Sequence, residues 1–270
     1  MRQIYPAAGP DLQVVARAAP GPLPDAVIRL ALLYGNEAAS NAAVANSRGR
    51  LRANMVASTD GAVTLDGRSG GLSGPADKMI FTLLRSLADL ILVGAGTVRA
   101  EHYGPVQPGQ IWLALRPPGA PLPPIAVVTG SADLTGCERL LSMPPGPSQT
   151  IVITTAAAPA ERKAALASRA RVIEAGDHAV DVVAAVQALA DLGYWSILTE
   201  GGPTLIGQLA AAGLLDEVCV TTSPLLAAGH AGRIASGPPV TQRLSLAHAL
   251  VDGDFLLCRY VTLDQNPNPS

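Results

Sequence analysis

Several features that mark other classes of protein are missing from this chain of 270 residues. Aromatic residues make up 3% of it and the formal net charge is −2, so stacking rings and a basic stripe for nucleic acid are both lacking. No apolar run reaches the length of a membrane span, about 18 residues, and no secretory signal is evident. Three widely spaced cysteines fit buried thiols better than a disulfide framework. We therefore expect a cytoplasmic protein that binds neither nucleic acid nor membrane.

Hydrophobic residues, by contrast, make up 49% of the sequence, which is enough for a sizeable core. They alternate between strand-like runs and helical spacing. Strands are predicted over 51–57, 90–93, 125–129, 150–154 and 217–222, helices over 27–34, 159–168 and 181–192, and a closing hairpin over 248–262 with Asp252-Gly253 as its turn. The proline-rich segment 104–124 is predicted to be irregular over much of its length, and 66–71 to be a loop. This alternation indicates a largely parallel sheet covered on both faces.

A glycine-rich turn follows the strand at 90–93. A helix is predicted to begin at Pro75 with Asp77 in its first turn, and the chain then runs through the strand into Gly94, Gly96 and Thr97. Backbone amides in such a turn can approach a phosphate. A dinucleotide-binding Gly-x-Gly-x-x-Gly motif would need glycine where Arg99 stands, which disfavours an ordinary Rossmann unit. A tight turn without a ligand is the alternative.

A second glycine turn, Gly201-Gly202, joins a strand to a helix that is predicted to begin at Pro203. Free N–H groups at the start of that helix suit a pyrophosphate. Glu200 lies just before the turn, at the strand end where open α/β sheets bind ligands. Two such turns in one chain favour a phosphate-bearing cofactor more than either alone.

Six ordered blocks between about 51 and 263 resemble the reductase domain of the bifunctional riboflavin-biosynthesis deaminase/reductase family. The blocks begin with Asn54-Met55-Val56, Ser73-Gly74-Pro75, Leu84-Arg85, Leu92-Val93-Gly94, Thr199-Glu200-Gly201 and Ser223-Pro224-Leu225. The resemblance implies a dihydrofolate-reductase-like α/β fold: three layers, α/β/α, with a central, mostly parallel mixed sheet and a C-terminal antiparallel hairpin. It also implies an N-terminal extension or arm at 1–48, a reductase domain at 49–265 and a tail at 266–270. No Cys-x-x-Cys and no His-x-Glu occurs, so the zinc ligands of the deaminase half are missing.

The resemblance further implies an NADPH-dependent reductase, without a metal, that acts as a homodimer on 5-amino-6-(5-phosphoribosylamino)uracil. Asp77 and Glu200 are the catalytic candidates that would orient the base. The residues expected to bind substrate with Glu200 are Asn54, Ser58, Ser69, Arg85 and Arg99. The residues expected to bind the cofactor are Val56, Gly71, Gly94, Gly96, Thr97, Glu101, Thr129, Ser131, Gly201, Gly202, Pro203, Thr204 and Leu205. Proteins that bind NADH commonly place a carboxylate at this strand end to bind the ribose. This chain has the hydroxyls of Thr129 and Ser131 there instead, which favours NADPH over NADH.

Other interpretations of these residues stay open from the sequence. Ser58 fits a local turn, Asp77 a partner of the helix dipole, and Arg85 a solvated surface position. The family's arginine for the ribosyl phosphate has no counterpart soon after Thr97, because the next arginine after Arg99 is Arg116. This departure leaves a dihydrofolate or other pterin reductase as the second hypothesis. A non-catalytic nucleotide-binding protein is the third.

Overall fold

A mixed sheet of ten strands forms the centre of the computed structural model, which describes residues 1–5, 25–35 and 48–263. The predicted tail at 266–270 and much of the predicted N-terminal extension lie outside these residues. In chain order the strands are β1 (Arg2–Tyr5), β2 (Arg50–Ser58), β3 (Leu90–Gly94), β4 (Ile125–Val128), β5 (Ile151–Thr154), β6 (Arg171–Glu174), β7 (Ser196–Thr199), β8 (Glu217–Ser223), β9 (Leu244–Asp252) and β10 (Phe255–Thr262).

The sheet has a parallel and an antiparallel part. Its spatial order is β1-β9-β10-β8-β2-β7-β3-β4-β5-β6. The seven strands from β8 to β6 run parallel to their neighbours, whereas β1, β9 and β10 are joined to each other and to β8 by antiparallel pairing. The predicted mostly parallel sheet with a C-terminal antiparallel hairpin is confirmed.

Helices cover both faces of the sheet. Those in the described residues are α1 (Asp25–Tyr34), α2 (Pro75–Leu87), α3 (Ala95–Ala100), α4 (Gln110–Leu115), α5 (Ala160–Ala167), α6 (Val182–Asp191) and α7 (Pro203–Ala211). Side chains that alternate along β3 show the layering, because Leu90 and Leu92 pack with α6 and α7, whereas Ile91 and Val93 pack with α3 and α5. On the latter side, α1 and α2 cover the antiparallel strands. The predicted three layers are confirmed.

Several local predictions need correction. The hairpin turn is Gly253-Asp254 rather than Asp252-Gly253, because Asp252 still pairs with Phe255 and Gly253 has a φ of +56°. The glycine turn after β3 is shorter than predicted, since α3 begins at Ala95 and includes Gly96 and Thr97. The proline-rich segment is irregular over most of its length, as predicted, but it contains the short helix α4. Two strands of four residues, β1 and β6, are too short to show an alternation that would have predicted them.

The described parts of the N-terminal segment pack against the rest of the domain. Strand β1 pairs with β9 at the edge of the sheet, and the Met1 ammonium lies 2.7 Å from an Asp252 carboxylate oxygen. Helix α1, which the sequence predicts, buries Leu30 and Tyr34 in the core. This segment therefore contributes to the hydrophobic core.

A buried ion cluster holds the end of α1 to the sheet. Glu217, at the start of β8, is 1% exposed. Its carboxylate is contacted by three arginines, Arg50, Arg52 and Arg259. Arg52 also donates to the carbonyl of Tyr34 at 2.6 Å, and Arg259 to that of Leu33 at 2.8 Å. The cluster lies at the amino end of β8, the opposite edge from the cavity described next.

Candidate active site

A cavity of about 560 Å³ opens at the carboxyl edge of the parallel strands, within the range typical of small-molecule sites. It is bounded by the ends of β2, β3 and β7, by the first turns of α2, α3 and α7, and by the loop between β2 and α2. Within the described ranges no helix is long and apolar enough to cross a bilayer. Those ranges also contain no group of His, Cys, Asp and Glu side chains placed to hold a metal ion.

Asp77 presents a buried carboxylate to the cavity from the first turn of α2. The helix begins where the sequence predicts, with Gly74 as its N-cap and Pro75 as its first residue. Asp77 is 6% exposed, and the Ser73 hydroxyl donates to its Oδ2 at 2.5 Å. The other carboxylate oxygen has no hydrogen bond among the described residues and can accept an N–H group from a ligand.

Glu200 presents the second carboxylate, and its side chain is held from behind by Arg85. The Nε and Nη2 of Arg85 donate to Oε1 and Oε2, both at 2.7 Å. The guanidinium lies 4.2 Å from the centre of the Phe81 ring. Burial alone would lower the pKa of Arg85, but the charge of Glu200 outweighs it and raises that pKa. Arg85 therefore stays charged and fixes the orientation of the Glu200 carboxylate.

Tyr103 completes this arrangement. Its hydroxyl donates to Glu200 Oε2 at 2.6 Å. Burial and the neighbouring Glu200 charge raise the pKa of Tyr103 well above its usual value, so the phenol remains a donor. An ionised carboxylate has about four lone-pair sites, so Glu200 can accept these three bonds and still accept one from a ring in the cavity.

The opposite wall is built from the starts of α3 and α7. The backbone N–H of Gly94 donates to the carbonyl of Gly201 at 2.8 Å, and Gly201 has a φ of +86° that favours glycine. A Cβ on Gly202 would lie 2.6 Å from Thr97 Oγ1, so any other residue here would displace the Thr97 hydroxyl. Both helices lack a side-chain cap, which leaves N–H groups of their first turns available to an anion.

The structure brings most of the predicted site residues together around this cavity. Those that line it are Asn54, Val56, Ser69, Asp77, Gly94, Gly96, Thr97, Glu101, Glu200, Gly202, Pro203, Thr204 and Leu205. The carboxylate of Glu101 also accepts from the backbone N–H of Ser69 at 2.7 Å, which attaches the loop before α2 to the end of α3.

The remaining predicted residues lie outside the cavity lining, which does not include Ser58, Gly71, Arg85, Arg99, Thr129, Ser131 or Gly201. The Ser58 hydroxyl bonds to Asp60 and to the N–H of Ala62, which is the local turn that the sequence also allowed. Arg99 turns away and donates to the carbonyl of Asp133 at 3.2 Å. Arg85 reaches the cavity through Glu200.

Sequence reasoning missed Tyr103, Lys78 and Phe81, which also line the cavity. Lys78 and Phe81 follow Asp77 at one and four positions on the same helix, so helical spacing could have indicated Phe81. Tyr103 lies in the segment that departs from the family pattern, and nothing local connects it to Glu200.

Comparison with known proteins decides the family. The sequence model of the RibD C-terminal domain matches residues 50–257. The chain belongs to this family. The chain is therefore an oxidoreductase of the riboflavin-biosynthesis reductase family, and the three-layer α/β/α arrangement described above is the fold of its reductase domain.

Individual RibD-family relatives agree with this assignment. The chain is 30% identical over 218 residues to the 2,5-diamino-6-ribosylamino-4(3H)-pyrimidinone 5′-phosphate reductase of Methanothermobacter thermautotrophicus, covering 74% of this chain and 94% of that protein. It is 28% identical over 175 residues to RibD of Bacillus amyloliquefaciens, of which it covers 45%. A pyrimidine reductase-like protein from Corynebacterium diphtheriae superposes with a TM-score of 0.70 at 26% identity, covering 80% of this chain and 93% of that one.

Proposed function

We propose that this chain catalyses the NADPH-dependent reduction of a ribosylamino-pyrimidine 5′-phosphate at C1′, in its open imine form, to the ribitylamino compound. The observation that carries the proposal is the Glu200 carboxylate, which is fixed by Arg85 and Tyr103 beside the glycine turn of α7. A rigid carboxylate next to an anion-binding helix start suits a heterocycle held against a dinucleotide.

The residues that line the cavity fit NADPH. The close approach of Gly202 to Thr97 and the uncapped first turn of α7 form a cradle in which backbone N–H groups can bind the pyrophosphate, with Thr204 and Leu205 behind them. Val56, at the end of β2, would lie beside the nicotinamide. When bound, NADPH would supply the hydride that adds to C1′ and become NADP⁺, and water or a nearby acid would supply the proton taken up at the imine nitrogen. The protein would supply orientation and charge.

The two carboxylates would orient the pyrimidine. Asp77 and Glu200 both accept hydrogen bonds, so they favour a ring edge that presents N–H donors. Asn54, 8% exposed at the middle of β2, would add one donor and one acceptor to the base.

Two forms of the pyrimidine satisfy this arrangement. The family resemblance implies 5-amino-6-(5-phosphoribosylamino)uracil. The name of the Methanothermobacter relative instead gives the 2,5-diamino pyrimidinone, which carries an amino group where the uracil has an oxygen. A pair of acceptor carboxylates can bind this extra N–H group, which is the observation that favours the second form.

The experiment that tests the proposal is NADPH oxidation, followed by absorbance, with each of the two pyrimidines and dihydrofolate offered in parallel to purified protein. Turnover of either pyrimidine is the expected result, with NADPH preferred to NADH in kcat/KM. Turnover of dihydrofolate alone would replace the proposal with pterin reduction, for which Asp77 on its helix is the motivating observation. Tight NADPH binding without any turnover would favour a non-catalytic nucleotide-binding protein.

The family resemblance also supports a homodimer in the cytoplasm, which belongs to the same proposal. Light scattering of the purified chain is expected to give twice its mass of 27.5 kDa. A monomeric mass under assay conditions would refute the dimer and leave the proposed reaction untouched.

A further inference from the structure

The proposed substrate carries a phosphate, and neither of the two arginines that follow the first glycine turn reaches the cavity. Arg99 donates to the carbonyl of Asp133 on the outside of α3. Arg116 donates to the carbonyls of Ser86 and Ala88 at 2.9 and 2.8 Å, at the far end of α2. Arg85 already donates two hydrogen bonds to the carboxylate of Glu200. The cation that neutralises the phosphate must therefore come from elsewhere.

Lys78 is the one cationic side chain among the described residues that line the cavity. Three acids, Asp77, Glu101 and Glu200, line the same cavity. A phosphate monoester that enters this acidic space needs a compensating positive charge close to it. Among the lining residues, Lys78 is the one that can provide this positive charge.

The position of Lys78 suits that role. Its backbone N–H bonds to the carbonyl of Gly74, which places it in the first turn of α2, next to Asp77. Its side chain is exposed, and its ammonium forms no hydrogen bond or ion pair within the described ranges. An unengaged ammonium on a flexible stem can reach a phosphate at the rim without giving up another partner.

We propose that Lys78 binds the 5′-phosphate of the substrate at the rim of the cavity, while Asp77 and Glu200 bind the base deeper inside. This inference rests on the proposed function and adds the subsite for the phosphate. It assigns the ends of the substrate to different parts of the site: the base to the buried acids and the phosphate to the exposed lysine.

The test removes the lysine and the phosphate separately and together, and compares the resulting changes in KM. Wild type, Lys78→Met and Lys78→Arg are each assayed with the pyrimidine 5′-phosphate and with the same compound lacking the phosphate. We expect Lys78→Met to raise KM for the phosphorylated substrate about tenfold, since a charge-assisted hydrogen bond is lost. We expect kcat and the KM for NADPH to stay within about twofold, because the proposed contact is to the phosphate, which does not change in the reaction. Lys78→Arg should restore most of the affinity.

The assay with the compound that lacks the phosphate decides whether Lys78 acts on the phosphate. The wild type and Lys78→Met should bind it with equal KM, since the partner of the lysine is missing. A matched control, Arg169→Gln, removes an exposed cation just before β6 at the amino edge of the sheet, and it should change neither KM. An equal rise of KM for both compounds, or no rise for either, would overturn the assignment of Lys78.

A binding measurement separates this inference from the proposed reaction. Ribose 5-phosphate and ribose are titrated into wild type and Lys78→Met by calorimetry. If the wild type reduces neither pyrimidine, the proposed function fails, and binding of ribose 5-phosphate by wild type but not by Lys78→Met still supports the phosphate subsite. Equal binding of ribose 5-phosphate by both proteins refutes the subsite whatever the kinetics show.

Discussion

Acidification should destabilise this protein through His248, a buried residue of β9. The side chain is 1% exposed, its ring meets that of Tyr34 edge-on at 4.5 Å, and its Nε2 has no hydrogen-bond partner in the described residues. Arg259 lies directly opposite on β10. Burial, followed by the charges of Arg259 and Arg52, lowers the pKa of His248 from 6.5 to about 3.

The sign and size of the effect follow from this shift. Above pH 6.5 the imidazole is neutral in both the folded and the unfolded chain, so His248 contributes no pH dependence. Between pH 6.5 and about 3 the unfolded chain binds a proton that the folded chain does not, so the free energy of unfolding falls as the pH falls. The loss from this residue is roughly 1.4 kcal/mol by about pH 5.5 and roughly 2 kcal/mol by about pH 5.0.

Urea unfolding at about pH 7.5 and 5.5, followed by circular dichroism, measures this loss in wild type and in His248→Phe. Phenylalanine keeps a ring edge against Tyr34 and removes the titrating nitrogens, while every other ionisable group is common to both proteins. The wild type should lose about 1.4 kcal/mol more than the variant over this pH range. An equal loss in the two proteins would show that His248 is not held neutral in the fold, and it would refute the reasoning.

Three further changes test other parts of the structure. Glu217→Gln removes the buried carboxylate that Arg50, Arg52 and Arg259 share and should lower the free energy of unfolding by about 3–5 kcal/mol in urea, and an unchanged midpoint would contradict the ion cluster at Glu217. Gly207→Ala places a Cβ 2.1 Å from the carbonyl oxygen of Ser236 and should cost about 1–3 kcal/mol in the same measurement. Tyr103→Phe removes one donor to Glu200 and should lower kcat/KM for the pyrimidine about tenfold with stability nearly unchanged, whereas full activity would remove Tyr103 from the site.

Local signals in the sequence were sufficient for the main elements of the site. Pro75 marks the start of α2, and the glycines at 94 and 202 mark the two junctions, because the backbone requirements of a helix start are met within a few residues. For the same reason the sequence indicated Asp77 and Glu200 as acids at the edge of the sheet. The alternation of predicted strands and helices likewise indicated the mostly parallel sheet covered on both faces.

Partners that are distant in sequence could not be predicted in this way. Arg85 and Glu200 are 115 positions apart, and Tyr103 and Glu200 are 97 apart, so their contacts depend on how α2 and the segment after α3 pack on the sheet. The direction of Arg99 likewise depends on packing, since a residue of a short helix can face either the cavity or solvent. A strand of only four residues, such as β6, is too short to show the alternation that predicts a strand.

Helix α2 is 13 residues long and carries Asp77, Lys78 and Arg85, so these three side chains move together with it. Arg116 donates to the carbonyls of Ser86 and Ala88 at the carboxyl end of that helix, and α4 packs along its side. The proline-rich segment thus fixes the position of α2 along its axis, and with it how far the first turn of the helix extends towards the cavity. A one-residue change in the length of this segment would shift the base acceptor, the proposed phosphate anchor and the partner of Glu200 together, so the size of the accepted substrate can be altered without substituting any residue that lines the cavity.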